Sequence, residues 1–188
     1  ETNVRRVRAQ VLQEVFTLER VFVVWIVLHI AWFAQHMHDA NRTTTFYNQI
    51  EHIRVTKTTD IAIAGAEHFV LSKDFEKVAN LQALDILQPD CTRVGGLTQM
   101  QNIRTAATEN NLHVIPHGWN TAIGFAADLH FQATVNEDKY GMVEFWSHRT
   151  ITDLLKDKPF ALDDEGKIAV PTGAGLGVEL DDTFDAWN

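Results

Sequence analysis

An α/β fold built on parallel, barrel-type strands is predicted by three features of this chain. From Ile61 onward, short apolar runs alternate with amphipathic segments of helical length. Glycine, proline and aspartate punctuate the junctions. A carboxylate or imidazole then follows or sits within each apolar run: Glu67, Asp90, His117 and Glu144. Parallel barrels carry their chemistry at the C-terminal ends of the strands, so this regularity says more than any one residue.

The elements follow in order. Ile61–Ala64 is the first strand of this region, and its loop carries Glu67 and His68. Ser72 caps a helix through about Gln82, with Phe75, Val78 and Leu81 on one face. Leu84–Gln88 is a strand ending at Pro89-Asp90. Gly95-Gly96 forms a loop, and Thr98 with Gln101 reads as a capping box for a helix to about Asn111. His113–Pro116 is a strand ending at His117. A helix from about Ala122 to Val135 follows, and Met142–Phe145 is a further strand.

The flanks differ in character. Residues 1–60 read as a degenerate or partial early barrel segment, 61–155 as C-terminal βα units, and 156–188 as a tail packed outside the barrel. At the N-terminus, Val4, Val7, Val11, Leu12 and Val15 predict a helix. Phe46, Tyr47, Ile50 and Ile53 predict another. In the tail, Ala169–Pro171 predicts a short strand and Gly173–Gly177 a tight turn rather than a phosphate loop, because no strand and helix flank it.

Composition limits the classes of function. A net charge of −9 disfavours nucleic acid and anionic membrane, both of which would repel the chain. Cys91 is the only cysteine, so no intrachain disulfide forms and a reducing, cytoplasmic compartment is expected. The apolar run Val21–Ala34 falls short of the ~20 residues that span a bilayer as a helix. It reads as a buried strand or core helix.

Among the strand-end residues, Asp90 and His117 form the strongest pair. Neighbouring parallel strands lie ~4.8 Å apart, so side chains at their ends can meet. A carboxylate on one imidazole nitrogen fixes the tautomer and leaves the other nitrogen as a general base. A structural histidine beside a loop-capping aspartate is the competing reading. Glu67 has the oxygen donors a hard cation such as Mg²⁺ takes, or it is a solvated loop carboxylate. Glu144, within an apolar strand, is costly unless paired or facing the mouth, and so is a candidate acid with a raised pKa. His68, Trp119 and Asn120 share these loops and are candidates to line a pocket.

Four motifs then occur in unbroken order: Ile-Ala-Gly-Ala-Glu-His (63–68), Asp-Ile-Leu-Gln-Pro-Asp-Cys-Thr-Arg-Val-Gly-Gly-Leu-Thr (85–98), Val-Ile-Pro-His-Gly (114–118) and Val-Glu-Phe-Trp (143–146). With the closing Val-Pro-Thr-Gly-Ala-Gly-Leu-Gly-Val-Glu-Leu-Asp (170–181), they resemble mandelate racemase-like members of the enolase superfamily, of the mandelate racemase/muconate lactonizing enzyme family. The resemblance implies the C-terminal part of a (β/α)₇β TIM-like barrel, whose N-terminal capping domain has no counterpart here. It further implies abstraction of the proton α to a carboxylate, giving an enediolate held by Mg²⁺. By motif, Glu67 is then a metal ligand, His117 and Asp90 the base dyad, and Glu144 an acid bonded to the substrate carboxylate. His68 and Trp119 are expected to contact substrate.

The early segment departs from that pattern. No Lys-x-Lys strand is present, and Asn3 to Ala9 look like the helix that normally follows it. Ala34 stands where a metal-binding glutamate is expected, and Asp39-Ala40-Asn41 lies after that strand instead of before it. A complete barrel of this type needs ~250 residues. Three explanations follow: a piece of a larger enzyme, an unreliable sequence over residues 10–45, or a degenerate homologue that has lost metal binding. The resulting expectation is an Mg²⁺-dependent lyase that dehydrates a sugar acid, working as a homo-oligomer. A racemase or epimerase of the same family and a non-catalytic barrel remnant are the alternatives.

Overall fold

A computed structural model describes residues 6–11, 56–135, 141–145, 155–156 and 160–181. Its elements are β1 (Arg6–Val11), β2 (Ala64–Gly65), α1 (Ser72–Asn80), β3 (Ile86–Leu87), α2 (Cys91–Val94), α3 (Leu97–Glu109), β4 (His113–Val114), α4 (Ala122–Gln132), β5 (Met142–Phe145) and β6 (Lys167–Ala169). The expected helix over Phe46–Ile53, the run Val21–Ala34 and the segment around Asp39 lie outside the described residues. No helix among the described residues is long and apolar enough to cross a membrane.

β2, β3 and β4 form a parallel sheet in that order, with Gly65 opposite Leu87 and Leu87 opposite Val114. The strands are shorter than the apolar runs predict, but single hydrogen bonds prolong the pairing toward their C-terminal ends. Gln88 N donates to Gly65 O at 2.8 Å, Ile115 N to Leu87 O at 3.1 Å, and His117 N to Pro89 O at 3.0 Å. Proline has no N–H to give in return, so the ladder thins there without the chains separating.

The second sheet has the order β5-β1-β6. β1 runs parallel to β5, with Gln10 opposite Glu144, and antiparallel to β6, with Arg8 opposite Lys167. Residues 6–11 are thus a strand, which corrects the helix expected there; the rest of the stretch expected as helix, 3–5 and 12–15, lies outside the described residues. Val7 and Val11 are spaced four apart, which satisfies helical and alternating patterns equally. Two strand partners from the far end of the chain decide between them, and β-branched valine suits that outcome.

Helix boundaries show two further corrections. Ser72 is the first helical residue of α1 and not its cap; Leu71 holds that place without a side-chain bond. Gly96 stands at the N-cap of α3, so the Thr98–Gln101 capping box does not form. Gly96 has φ +85° and the preceding Gly95 has φ +100°, a left-handed pair that only glycine adopts at little cost. α1 buries Phe75, Val78 and Ala79, and α3 buries Met100, Ile103 and Ala107, each set at helical spacing.

The core has two parts. Ile63, Phe75, Leu87, Met100, Ile103 and Phe131 pack between β2–β4 and the helices. Phe125, Leu129, Val143, Phe145, Phe160 and Ile168 pack beneath β5, and Leu176 of the Gly-rich turn touches both parts. His130 Nε2 lies 3.1 Å from the Leu176 carbonyl, which ties that turn to α4.

Leu87 is fully buried in β3, whereas Leu81 after α1 is 45% exposed. Leu87→Ala is expected to cost ~2–5 kcal/mol through lost transfer energy and a residual cavity. Leu81→Ala should stay within ~0.5 kcal/mol of the parent, as surface changes do. Urea denaturation of both variants measures the contrast.

Candidate functional site

The C-terminal ends of β2, β3, β4 and β5 bring the sequence-predicted residues to one place. After β2, Ala66 takes φ +75°, a strained turn for a non-glycine residue, and the next residue, Glu67, is buried. Glu67 Oε1 lies 3.2 Å from His68 Nε2, and Oε2 lies 3.4 Å from His117 Nε2. His117 turns its other nitrogen, Nδ1, to Asp90 Oδ2 at 3.7 Å. That distance is an ion-pair contact, longer than a formed hydrogen bond. One imidazole thus stands between two carboxylates contributed by different loops.

Asp90 also answers the capping alternative, because it is the N-cap of α2. Its Oδ1 accepts from Thr92 N at 2.8 Å and Thr92 Oγ1 at 2.6 Å. The Oδ2 atom remains turned to His117. Burial pushes the Asp90 carboxyl up, but the His117 contact and the two Thr92 bonds outweigh it, leaving the pKa below the ordinary value. Burial likewise disfavours charge on His117, yet Asp90, Glu144 and Glu67 together raise its pKa.

Glu144 sits on β5 between Val143 and Phe145, both buried. Gln88 Nε2 donates to its Oε1 at 2.6 Å and Gly118 N to its Oε2 at 3.1 Å. Burial drives its pKa above the ordinary value, partly offset by the charge of His117 and by the Gly118 and Gln88 bonds. Gly118 is required by space: a Cβ there would stand 2.1 Å from the Glu144 backbone oxygen. The glycine of Val-Ile-Pro-His-Gly therefore lets the loop after β4 lie directly against β5.

His68 and Trp119 sit farther out. The His68 side chain is 43% exposed while touching Glu67, and Trp119 is 47% exposed on the loop after His117. Three polar residues that the sequence reading did not assign to the site lie here: Gln88, Thr92 and Asp128. Asp128 is fully buried in α4, and its Oδ2 accepts from Asn120 Nδ2 at 2.8 Å. Burial drives its pKa well above the ordinary carboxylate value, and the Asn120 bond only partly opposes this. The available signal was a lone aspartate in the apolar run Phe125–Leu129. Cys91, beside Asp90, is inert as a nucleophile: burial and the nearby Asp128 and Asp90 carboxyls push its thiol up to about 12.

As a metal site the arrangement is partial. Glu67 offers hard carboxylate oxygens at a buried strand end, which fits one ligand position for Mg²⁺. No group of three or more His, Cys, Asp or Glu residues among the described residues could hold a metal ion by itself.

Known proteins share this arrangement of strands and motifs. The sequence model of the enolase C-terminal domain-like family matches residues 44–184. The chain belongs to that family. It carries the C-terminal part of the barrel of the mandelate racemase/muconate lactonizing enzymes, as its motifs lead one to expect. D-galactarolactone cycloisomerase of Agrobacterium fabrum (strain C58 / ATCC 33970) is 31% identical over 134 residues, covering 68% of this chain and 35% of the relative. D-galactonate dehydratase of Ralstonia pickettii (strain 12J) is 31% identical over 137 residues, covering 70% and 35%. Among solved structures, L-talarate dehydratase from Polaromonas sp. JS666, complexed with Mg and L-glucarate, is similar with a TM-score of 0.65. Its identity is 26%, with 75% of this chain and 35% of that chain covered. This enolase-family barrel segment thus spans about a third of the length of these relatives.

Asp128 gives the barrel a pH signature. Its folded-state pKa lies above the ordinary 3.8, so its contribution to stability is complete below pH 3.8 and is lost as pH rises through the folded value. Asp128→Asn cannot ionise. The variant should gain stability relative to the parent as pH climbs from 3.8 toward that value, measured by denaturant unfolding at a series of pH values.

Proposed function

We propose that this chain is the base-bearing part of a sugar-acid lyase that removes the proton α to a carboxylate and then eliminates water. The observation carrying this reading is the placement of His117: Nδ1 faces Asp90 at 3.7 Å, and Nε2 faces Glu67 at the ends of adjacent strands. An imidazole oriented by a carboxylate on one side keeps its second nitrogen for proton transfer. The sugar-acid relatives support the substrate class. On this reading residues 1–60 belong to the early barrel, 61–155 supply the site, and 156–188 form the closing tail.

In the proposed reaction, His117 Nε2 takes the α-proton and the C–H electron pair moves toward the substrate carboxylate. Such a proton is very weakly acidic, so the charge that develops needs an electrophile. Mg²⁺, with Glu67 among its ligands, would supply positive charge next to that carboxylate. Glu144, held by Gln88 and Gly118 and with its pKa raised by burial, would in its acid form donate a hydrogen bond to the carboxylate as charge builds. The β-hydroxyl then leaves as water with the proton returned by the imidazolium, and the enol product ketonises. On this reading His68 and Trp119, on the outer loops, would touch the hydroxyls of the sugar chain.

A panel of aldonic and aldaric acids and their lactones, incubated with the full-length protein and Mg²⁺ in D₂O, tests the reading. The expected outcome is a 2-keto-3-deoxy product from at least one acid. Deuterium at the α-carbon without dehydration would favour a racemase or epimerase, and ring opening of a lactone a cycloisomerase. No reaction and no exchange, together with no Mg²⁺ uptake in calorimetry, would leave the non-catalytic barrel. Where turnover is found, His117→Asn should lower kcat by ~10²–10⁴, the usual contribution of a general base.

A further inference from the structure

Asp128 takes no part in the proposed chemistry, yet it is completely buried in α4, whose Phe125, Ala126 and Leu129 are buried as well. Its Oδ2 accepts from Asn120 Nδ2 at 2.8 Å. The same amide nitrogen lies 3.5 Å from Asp90 Oδ1 and 3.5 Å from the His117 carbonyl oxygen. An amide NH₂ has two hydrogens, so engaging one on Asp128 directs the other toward these two acceptors.

Gly124 makes the contact possible. A Cβ at that position would stand 2.6 Å from Thr92 Cγ2 and 2.8 Å from Asn120 Cγ. α4 therefore presses bare backbone against Thr92 and Asn120, the residues that surround Asp90 Oδ1. Thr92 N, Thr92 Oγ1 and Asn120 Nδ2 converge on that oxygen at 2.8, 2.6 and 3.5 Å. A carboxylate is planar, so fixing Oδ1 fixes the direction of Oδ2, the atom that faces His117 Nδ1.

We propose that Asn120 and Asp128 are a buried positioning pair, in which Asp128 anchors the Asn120 amide so that it holds Asp90 Oδ2 toward His117. The inference rests on the reading of Asp90 and His117 as a base dyad, and needs no particular substrate. Burial drives the Asp128 pKa well above the ordinary carboxylate value, which lessens the negative charge that the pair places beside Asp90.

The test follows the His117 ring by long-range ¹H–¹⁵N correlation in the full-length ¹⁵N-labelled protein. The parent and Asp128→Asn, which retains a carbonyl oxygen for the Asn120 amide, should show the same exchange rate for the Nδ1 proton. In Asp128→Leu and Asn120→Ala its exchange with solvent should rise about tenfold, the scale of one net hydrogen bond. Leucine and asparagine both fill the site, so a purely space-filling role for Asp128 would not separate them. Equal exchange in all four proteins, or Asp128→Asn behaving like Asp128→Leu, would overturn the proposal. Should Asp128→Leu fail to fold, Asn120→Ala against Asp128→Asn makes the same decision. The readout requires no turnover, so an inactive protein would refute the lyase reading and leave this test intact.

Discussion

Burial of several carboxyl groups around one imidazole is the constraint on which the rest of the site depends. Charge in a low-dielectric interior is tolerated only when it is paired, bonded or removed by protonation. Each group here meets that demand differently. Asp90 keeps its charge by accepting two bonds from Thr92 and facing His117. Glu144 and Asp128 are driven toward the neutral form by burial. His117 is drawn toward protonation by the carboxylates around it. Asp90 and Asp128 thus shift in opposite directions, because the surroundings and not the residue type set each proton affinity.

The backbone supports this arrangement through close approach. The bond from His117 N to Pro89 O continues the β3–β4 pairing just far enough to set Asp90 and His117 side by side. Gly118 lies against the β5 carbonyl of Glu144, and Gly124 lies against Thr92 and Asn120. At both places a methyl group would occupy space already taken by an atom of the site. The two glycines therefore set how near β5 and α4 come to the dyad.

Much of the middle of the chain was legible because its elements are local. Apolar runs, helical spacing and a carboxylate or imidazole near each strand end marked β2 to β5 and α1, α3 and α4, with boundaries off by a few residues. The caps were less legible: Ser72 and Thr98 have suitable side chains, but Leu71 and Gly96 hold the cap positions. β1 was misread as a helix because Val7 and Val11 fit both periods. Gln88 and Asp128 escaped notice because their partners lie on other elements, and Glu144, the partner of Gln88, is 56 residues away; Thr92 bonds locally to Asp90, but the short helix that they open was not expected.

The sequence by itself determined the family, the parallel α/β architecture and the identity of the strand-end residues, since motif order and periodicity are properties of the chain alone. Tertiary structure decided that Arg6–Val11 is a strand, because only pairing with β5 and β6 resolves an ambiguous pattern. It also decided that Asp90 caps α2 and faces His117 at once, with one oxygen for each task. The direction in which each buried group titrates belongs to the fold as well. Proton affinity depends on the dielectric and the charges that the folded chain places around a side chain, and those neighbours come from distant parts of the sequence.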